Sequence, residues 1–375
     1  MADWYIGLMS GTSLDGVDAV MVDLSPAARP IAVKRHLYQP FSPALRQALL
    51  VLNNTGPDEL HRAALAANAV SRAYVDSVRN LLKNTGCEPA AIRAIGAHGQ
   101  TVRHRPGEFD GTGYTVQLIN GALLAEQSEI DVVCDFRTRD VAAGGQGAPL
   151  VPAFHAAVFH RPGLSQAILN LGGIANLTLL GPAGQVQGFD CGPGNVLLDL
   201  WCERHLGHAF DNNGQWAASG HAVPQLLATM LHDAYFNRSP PKSTGRDLFN
   251  ASWLDCVLAR PNNHETVAPV DVQTTLVELT ATSAASALKR HLPGVETLLV
   301  CGGGALNGHL MQRITRLLPG VGVMSSGVAG LPPLQVEAAA FAWLAKAFFD
   351  RTPANCQAVT GASGPRVLGS LYPAR

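Results

Sequence analysis

A strand, a tight turn of small polar residues and a second strand occur once in each half of this sequence, which limits the folds it can adopt. The first copy is the turn 9–18, between the apolar runs 4–8 and 19–24. The second is the turn 172–176, which follows the apolar run 166–171. Similar hairpins in both halves predict two similar α/β lobes, each presenting its turn to a shared cleft.

The first turn has the chemistry of a phosphate-binding loop. Small residues let the backbone approach a ligand, and hydroxyl and amide groups donate to phosphate oxygens. Gly11 and Gly16 have the spacing of a P-loop, but Val17 and Asp18 stand where Lys and Ser/Thr are required, and a strand follows instead of a helix. We therefore predict a phosphate-binding hairpin, with an ordinary polar β-hairpin as the alternative.

Composition favours a compact enzyme over other classes of protein. The 375 residues are 47% hydrophobic and 15% charged, and the net charge is −1, so nothing points to nucleic acid or to an acidic membrane surface. The seven cysteines are scattered without a CxxC pair, which favours reduced thiols in the cytoplasm. We expect no signal peptide and no membrane span.

A third glycine cluster, 302–304, follows a predicted strand and precedes a predicted helix. This arrangement places helix N–H groups against a nucleotide, and tight strand–helix packing is the alternative. The Gly- and Pro-rich segment 142–152 is predicted to link or hinge the lobes, and 237–250 to be a mobile exposed loop. The remaining patterning predicts helices at 60–83, 120–127, 309–318 and 338–349 and strands at 31–38, 91–97, 130–134, 186–189 and 297–300.

Motifs along nearly the whole chain resemble those of the anhydro-N-acetylmuramic acid kinase family and come in the same order. Cys191 stands where that family often has threonine. The matching segments are GLMSGTSLDGVD at 7–18, AHGQT at 97–101, DFR at 135–137, GGQGAPLVP at 144–152, NLGGIAN at 170–176, FDCGPGN at 189–195, KSTGR at 242–246 and GGG at 302–304.

The resemblance implies an α/β fold of duplicated actin-like/ribonuclease H-like domains with a central ATP cleft, as in acetate and sugar kinases, Hsp70 chaperones and actin. The first lobe would comprise 1–132 and about 345–375, and the second 133–344. The implied reaction hydrolyses the 1,6-anhydro ring of anhydro-N-acetylmuramic acid and phosphorylates O6 with ATP and Mg²⁺. We expect a cytoplasmic homodimer that takes this small-molecule substrate in the recycling of cell-wall sugars.

Asp190 is the predicted catalytic base because the family carries its aspartate in this motif; the alternative is a cap on the helix that begins near Asn195. Asp15 and Asp18 are predicted to act on Mg²⁺ through water, unless they are turn residues that accept backbone N–H bonds. The predicted ATP-binding residues are Ser10, Gly11, Thr12, Ser13, Leu14, Asp15, Gly16, Val17, Asp18, Gly172, Gly173, Asn176, Gly192, Gly194, Asn195, Gly302, Gly303 and Gly304.

The sugar is expected to contact Gln100, Thr101, Asp135, Arg137, Gln146 and Glu337. Arg137 could pair with the lactyl carboxylate, or internally with Asp135 or Asp140. Glu337 could instead stabilise the N-terminus of its own helix, since a negative charge there interacts favourably with the helix dipole. His98 is read as a structural histidine whose nitrogens are satisfied.

Two other functions stay open at this point. One is a kinase for another sugar or a small carboxylate, and the other is an ATP-driven interaction protein like the chaperone or actin branches. ATP turnover with and without anhydro-N-acetylmuramic acid separates them.

Overall fold

The computed structural model describes residues 2–11, 13–26, 31–245, 247–260 and 267–374. The chain divides into two compact units: unit 1 is Met1–Val158 with Gln335–Arg375, and unit 2 is Phe159–Leu334. The boundaries between these units lie after residues 158 and 334. The lobe boundaries proposed from the sequence lie at 132 and about 345. Those functional limits stay a prediction.

Strands and helices alternate along both units. In the described ranges the strands are β1 Trp4–Met9, β2 Gly16–Asp23, β3 Ala32–Pro40, β4 Ile92–Ala97, β5 Gln100–Pro106, β6 Gly113–Leu118, β7 Val132–Cys134, β8 Gln166–Leu171, β9 Ile174–Leu180, β10 Val186–Pro193, β11 Thr297–Cys301, β12 Gly322–Ser325 and β13 Ser370–Tyr372. The helices are α1 Pro43–Leu52, α2 Glu59–Thr85, α3 Gly121–Ser128, α4 Thr138–Ala142, α5 Val151–Phe159, α6 Val196–Leu206, α7 Gln215–Ala218, α8 Pro224–Leu231, α9 Ala234–Asn237, α10 Ala251–Leu258, α11 Pro269–His291, α12 Gly308–Leu317, α13 Val336–Phe349 and α14 Gln357–Thr360.

The main sheets of the two units repeat one topology. In unit 1 the order is β3-β2-β1-β4-β7, with β13 added at the edge beside β7. In unit 2 the order is β10-β9-β8-β11-β12. In each unit the first three strands pair as antiparallel hairpins: β1, β2 and β3 in unit 1, and β8, β9 and β10 in unit 2. The next two strands of each sheet run parallel to the first strand of that unit. This shared order is that of a ribonuclease H-like domain, so the predicted duplication is confirmed.

Central strands are apolar because helices cover them. Every residue of β8 is buried, as its largely apolar run predicts for a strand with neighbours on both sides. In unit 1, Gly7 of β1 and Gly96 of β4 lie against the backbone of α13, where a Cβ would come within 1.9 Å of the carbonyl oxygens of Ala338 and Phe341. Glycine at these positions lets the helix pack directly on the sheet.

Most of the predicted elements are confirmed, and the bounds of the helices α2 and α13 agree within two residues. The second strand of each hairpin, β2 and β9, begins three residues earlier than predicted, and β10 runs four residues further than predicted. Sequence patterning missed the two-stranded hairpin of β5 and β6, whose polar residues show weak alternation. In the described ranges no helix is both long and apolar enough to cross a membrane.

Candidate active site

Asp190 lies near the end of β10 in unit 2, where the ladder with β9 is interrupted. It sits directly opposite Asn176 of β9, which in turn faces Asn170 of β8. The register shifts between Asp190 and Gly192, so Cys191 forms a bulge. Residues that pair across neighbouring strands point to the same face, and a bulge re-aims the side chains beside it. Asp190 therefore belongs to a polar row on one face of the sheet.

The loop that follows α9 fixes Asp190. The backbone N–H of Thr244 donates to Asp190 Oδ2 at 2.9 Å. The N–H of Asp190 donates to the carbonyl oxygen of Lys242 at 3.2 Å, and the Tyr235 hydroxyl donates to the carbonyl oxygen of Asp190 at 2.8 Å. The segment predicted as a mobile exposed loop thus packs its residues 242–244 against β10, because these backbone groups find hydrogen-bond partners there.

Burial raises the pKa of Asp190 to about 6, while the Thr244 N–H and the Lys242 ammonium oppose that rise. A carboxyl group with this pKa is largely ionised at neutral pH and is still a better proton acceptor than an exposed one. The alternative of a helix cap is excluded: the N-cap of α6 is Asn195, and the Asp190 carboxylate bonds to the 242–244 loop.

Three turns of unit 2, here called the three-turn cluster, meet at the carboxyl ends of β8 and β11. They are the β8–β9 turn at Gly172 and Gly173, the turn 192–195 before α6, and the glycines 302–304 after β11. The amides of Gly194 and Asn195 donate to the carbonyl oxygens of Gly173 and Gly172 at 3.0 and 2.8 Å. Asn195 Nδ2 donates to the carbonyl oxygen of Leu171 at 3.0 Å. The predicted ATP-binding glycines of this unit therefore come together.

Packing explains some of these glycines and leaves others unexplained. A Cβ on Gly194 would lie 2.2 Å from the carbonyl oxygen of Gly172, and Gly302 has a φ of +79° that favours glycine. A Cβ on Gly304 would meet Leu171 Cβ at 2.6 Å, and one on Gly192 would meet a serine hydroxyl at 2.7 Å. These four glycines are required by the fold itself.

Three glycines of the cluster have open space where a side chain would be. The nearest described atom to a Cβ on Gly172 lies at 3.7 Å, on Gly173 at 4.0 Å and on Gly303 at 3.6 Å. None has a backbone conformation that demands glycine. Gly11 in the first hairpin of unit 1 is open in the same way, with its nearest atom at 3.7 Å. Close approach of a ligand to the backbone would account for glycine at these positions.

Helix α12 differs from its sequence expectation. A short 3₁₀ turn, Gly303–Leu306, includes two of the three glycines and precedes α12. The Asn307 side chain caps α12 by accepting from the N–H of Leu310 at 3.0 Å. Asn213 Oδ1 accepts from the N–H of Gly308 at 2.9 Å. The prediction that the N–H groups of this helix face a nucleotide is therefore wrong for the two amides that these side chains satisfy.

In unit 1 the β1–β2 hairpin buries much of its predicted phosphate loop. Ser10 Oγ donates to the carbonyl oxygen of Gly99 at 3.0 Å and lies 2.8 Å from the Tyr74 hydroxyl oxygen. Leu14 and Val17 lie in the hydrophobic core. At these positions only the backbone could contact a phosphate. Thr12, which was also predicted to bind ATP, lies outside the described residues.

The same hairpin carries Asp15 and Asp18, which are predicted to act on Mg²⁺ through water. Asp15 is exposed, and its Oδ1 accepts from Ser13 Oγ at 2.6 Å. Asp18 Oδ1 lies 2.9 Å from Nε2 of His36 on β3. A Cβ on Gly16 would lie 2.4 Å from a backbone carbonyl oxygen, so that glycine serves packing. In the described ranges no group of three or more His, Cys, Asp or Glu side chains could hold a metal ion.

Arg137 in unit 1 is held by neutral acceptors. Its Nε and Nη2 donate to His98 Nε2 at 3.3 and 2.9 Å, and its Nη1 donates to the carbonyl oxygen of Gly147 at 2.8 Å. The carboxylates of Asp135 and Asp140 accept from other groups. Burial lowers the pKa of Arg137 to about 10, so the guanidinium stays charged at neutral pH.

The other predicted sugar residues lie in the same unit. Gln100 is fully buried and its Nε2 donates to the carbonyl oxygen of Gly11 at 3.0 Å, while its Oε1 has no partner among the described residues. Thr101 follows it in β5, and Gln146 is exposed one residue before Gly147. Glu337 lies in the first turn of α13 and counteracts the lowering of the pKa of Arg137 by burial.

Sequence reasoning missed the residues that hold Asp190. Lys242 and Thr244 belong to the KSTGR segment, which carried the family resemblance but received no role. Tyr235, which also bonds to Asp190, has no local signal in the sequence. Cys191 is buried and its Sγ donates to the carbonyl oxygen of Ala175 at 3.3 Å, a bond that a threonine hydroxyl could make in its place.

Comparison with known proteins gives one consistent family. The model of the family "Anhydro-N-acetylmuramic acid kinase" matches residues 3–374. Proteins of that name from Albidiferax ferrireducens and Variovorax paradoxus are 56% and 55% identical, over 100% and 99% of this chain and 100% and 99% of their own lengths. The solved activator of 2-hydroxyisocaproyl-CoA dehydratase from Clostridium difficile is 13% identical, with a TM-score of 0.48 over 93% of this chain and 95% of that one.

Two ribonuclease H-like units with small-residue turns at their strand ends are the topology of the actin-like fold class. The family match over nearly the full length narrows that class. The chain belongs to the anhydro-N-acetylmuramic acid kinase family.

Proposed function

We propose that this chain is an ATP-dependent kinase that opens the 1,6-anhydro ring of anhydro-N-acetylmuramic acid by hydrolysis and phosphorylates O6. The products are N-acetylmuramic acid 6-phosphate and ADP, in the recycling of peptidoglycan and the catabolism of amino sugars. Family membership over residues 3–374 supports this activity above a kinase for another sugar or an ATP-driven interaction protein. The observation that carries the chemistry is Asp190, a carboxyl group with a raised pKa held in a polar row beside the three-turn cluster.

Asp190 would act as the general base that takes a proton from the water attacking C1. The Thr244 N–H occupies one carboxylate oxygen and so orients the group, and the Lys242 ammonium keeps part of it ionised. A base whose pKa lies just below the working pH combines a large ionised fraction with useful basicity. Attack at C1 releases O6, which then accepts the γ-phosphoryl group of ATP.

ATP would be bound by backbone amides at the open glycines Gly172, Gly173 and Gly303 and at Gly11. Each of these positions leaves space where a side chain would stand, which suits phosphate or nucleoside atoms that approach the backbone. Asn176 and Asn195 lie beside these turns and offer amide groups to the same ligand. Phosphoryl transfer depends mainly on such positioning and on electrostatic stabilisation.

Mg²⁺ would neutralise negative charge that develops on the phosphates. The carboxylate oxygens of Asp15 fit a water-mediated contact, since this side chain is exposed on the phosphate hairpin. Asp18 fits less well because His36 already contacts its Oδ1.

The sugar acid would be recognised by charged and polar groups of unit 1. Arg137 is a buried cation whose direct partners are neutral, so it can pair with the lactyl carboxylate. The unpartnered Oε1 of the buried Gln100 would accept from a sugar hydroxyl or amide. Thr101, Asp135, Gln146 and Glu337 would complete the recognition of the sugar.

We also propose a cytoplasmic homodimer. The seven cysteines are all free, as in a reducing compartment. Size-exclusion chromatography with light scattering tests the dimer, and a monomer at micromolar concentration would contradict it.

Activity is expected to decline as pH falls through about 6, because Asp190 must be ionised to accept a proton. A plot of log kcat/KM against pH should turn downward there with a slope of one. Lys242→Met should move this turning point to higher pH, since the ammonium lowers the pKa of Asp190. An unchanged turning point in Lys242→Met would contradict the assignment of the titration to Asp190.

Reaction in ¹⁸O-labelled water is expected to place label on the C1 hydroxyl of the product and none in the transferred phosphate. Water attacks carbon in the proposed mechanism, and the oxygen that leaves C1 is O6. Mass spectrometry of early product, before C1 exchanges with solvent, gives the result. A simple sugar kinase would leave the carbon unlabelled, and an ATPase would place the label in free phosphate; either result would overturn the proposed function.

A further inference from the structure

Asp140 in unit 1 is a fully buried carboxylate that forms no ion pair with the residues that the structure describes. Its Oδ1 accepts from Asn355 Nδ2 at 2.8 Å and from Thr360 Oγ1 at 2.9 Å, and its Oδ2 accepts from the N–H of Gly147 at 2.8 Å. Burying a charged group is unfavourable unless hydrogen bonds compensate it, and charge-assisted bonds are the strong ones. Three such bonds fix Asp140 between the C-terminal segment and the loop 144–147.

The backbone of Gly147 connects Asp140 to Arg137 through two hydrogen bonds. The N–H of Gly147 is held by Asp140, and its carbonyl oxygen accepts from Arg137 Nη1 at 2.8 Å. Gly147 has a φ of +66°, and a Cβ there would lie 2.8 Å from Val141, so this position requires glycine. The position of the Gly147 carbonyl oxygen, and with it one side of the guanidinium, therefore depends on Asp140.

His98 fixes the other side of the guanidinium. Arginine only donates, so His98 Nε2 must be the acceptor for Arg137 Nε and Nη2, and the ring proton must lie on Nδ1. Nδ1 then donates to the carbonyl oxygen of Ser10 at 3.1 Å. Burial and the charge of Arg137 lower the pKa of His98 to about 3, so the ring is neutral at working pH.

This arrangement leaves the charge of Arg137 available. These three hydrogen bonds go to a neutral ring and a neutral carbonyl, and they use three of its five N–H groups. A carboxylate in the place of His98 would hold the guanidinium equally well but would compete with an anionic ligand. The acceptors of its hydrogen bonds are neutral, while the carboxylates of Glu337 and Asp140 act on the guanidinium through space and counteract the lowering of its pKa by burial.

We propose that Asp140 and His98 are positioning residues for the sugar acid: they fix the Arg137 guanidinium for the substrate carboxylate, and His98 ties it to Ser10 of the phosphate hairpin. The proposal rests on the proposed function of Arg137 as the carboxylate-binding residue. Neither Asp140 nor His98 needs to touch the substrate, because both act through the orientation of Arg137.

A double-mutant cycle tests this role. Arg137→Met is expected to raise KM for the sugar acid at least about tenfold, the low end for loss of a hydrogen bond to a charged group, with KM for ATP nearly unchanged. Asp140→Asn and His98→Gln should each raise the same KM several-fold. Combined with Arg137→Met, neither should add a further increase, because residues that act through one group are not additive. Thr360→Val, which removes one donor to Asp140, is the milder variant if Asp140→Asn does not fold.

An analogue that lacks the lactyl group, 1,6-anhydro-N-acetylglucosamine, gives a second measure. Its KM should be almost insensitive to Thr360→Val and His98→Gln, since it has no carboxylate for Arg137 to hold. Full additivity with Arg137→Met, or equal effects on the two sugars, would overturn the positioning role alone. An unchanged sugar KM in Arg137→Met would overturn the proposed function of that arginine, and the positioning role with it.

Discussion

Asp190→Asn is expected to lower turnover by at least ~10²-fold, the low end for a positioned general base. Asparagine keeps the size of the side chain and can still accept from the Thr244 N–H, but it cannot take a proton from water. Binding of ATP and of the sugar should change little, because neither is assigned to this carboxylate. Steady-state rates and calorimetric titrations measure the two effects separately, and near wild-type turnover would remove Asp190 from the mechanism.

The same substitution is expected to stabilise the fold above pH 6. Burial raises the pKa of Asp190 from 3.8 to about 6, so the folded state holds the proton more tightly than the unfolded state. The stability from this group is present at low pH and is lost as pH rises through about 6, at most ~3 kcal/mol for a shift of this size. Asparagine does not ionise and avoids that loss.

Denaturant unfolding above pH 6 and below pH 3.8, the ordinary pKa of an aspartate, measures this gain. The stabilisation of Asp190→Asn should be present at the higher pH and small at the lower one. Asp76→Asn, on the exposed face of α2, is the matched control for the replacement of an aspartate by asparagine. A variant that is inactive and also less stable at high pH would indicate that Asp190 serves the fold.

Gly303→Val is expected to leave the fold intact and to weaken ATP binding at least tenfold, a loss of about 1.4 kcal/mol. The nearest described atom to a Cβ on Gly303 lies 3.6 Å away, so the first carbon of a side chain meets only ordinary van der Waals contact. The valine side chain would occupy the space in which the proposed nucleotide approaches the backbone. Circular dichroism and thermal unfolding check the fold, and calorimetry with a non-hydrolysable ATP analogue checks the affinity.

Gly322→Val is the matched control for that variant. Gly322 is equally open, with its nearest atom at 3.5 Å, but it pairs with Thr297 at the opposite end of β11 from Gly303. It should bind the analogue with wild-type affinity. If both valine variants bound the nucleotide normally, the three-turn cluster would not be the ATP site.

The duplicated fold could be predicted because its signals are local. Each hairpin is an apolar run, a turn of small residues and another apolar run, and this pattern needs no partner from elsewhere in the chain. Asp190 could be placed near the end of a strand for the same reason. The bulge at Cys191 and the facing Asn176 required the strand register, which the sequence does not specify.

Contacts between distant segments could not be predicted. Thr244 reaches Asp190 across 54 residues, and Asn355 reaches Asp140 across 215. Glycines also look alike in sequence, although Gly302 is required by its backbone conformation and Gly303 has open space. Tertiary packing determines which glycines serve the fold and which leave space for a ligand. A motif read from the sequence alone therefore predicts too many ligand-binding residues.

The order of elements along the chain also affects how the protein is made. Unit 2 is one uninterrupted stretch, whereas α13 and β13 of unit 1 come from residues beyond 334. A ribosome synthesises the N-terminal sheet first, yet the helix that covers Gly7 and Gly96 is synthesised after unit 2. Unit 2 can therefore complete its core before unit 1 does. Until α13 has been synthesised, one apolar face of the unit 1 sheet is uncovered, and chaperone binding would protect it at this stage.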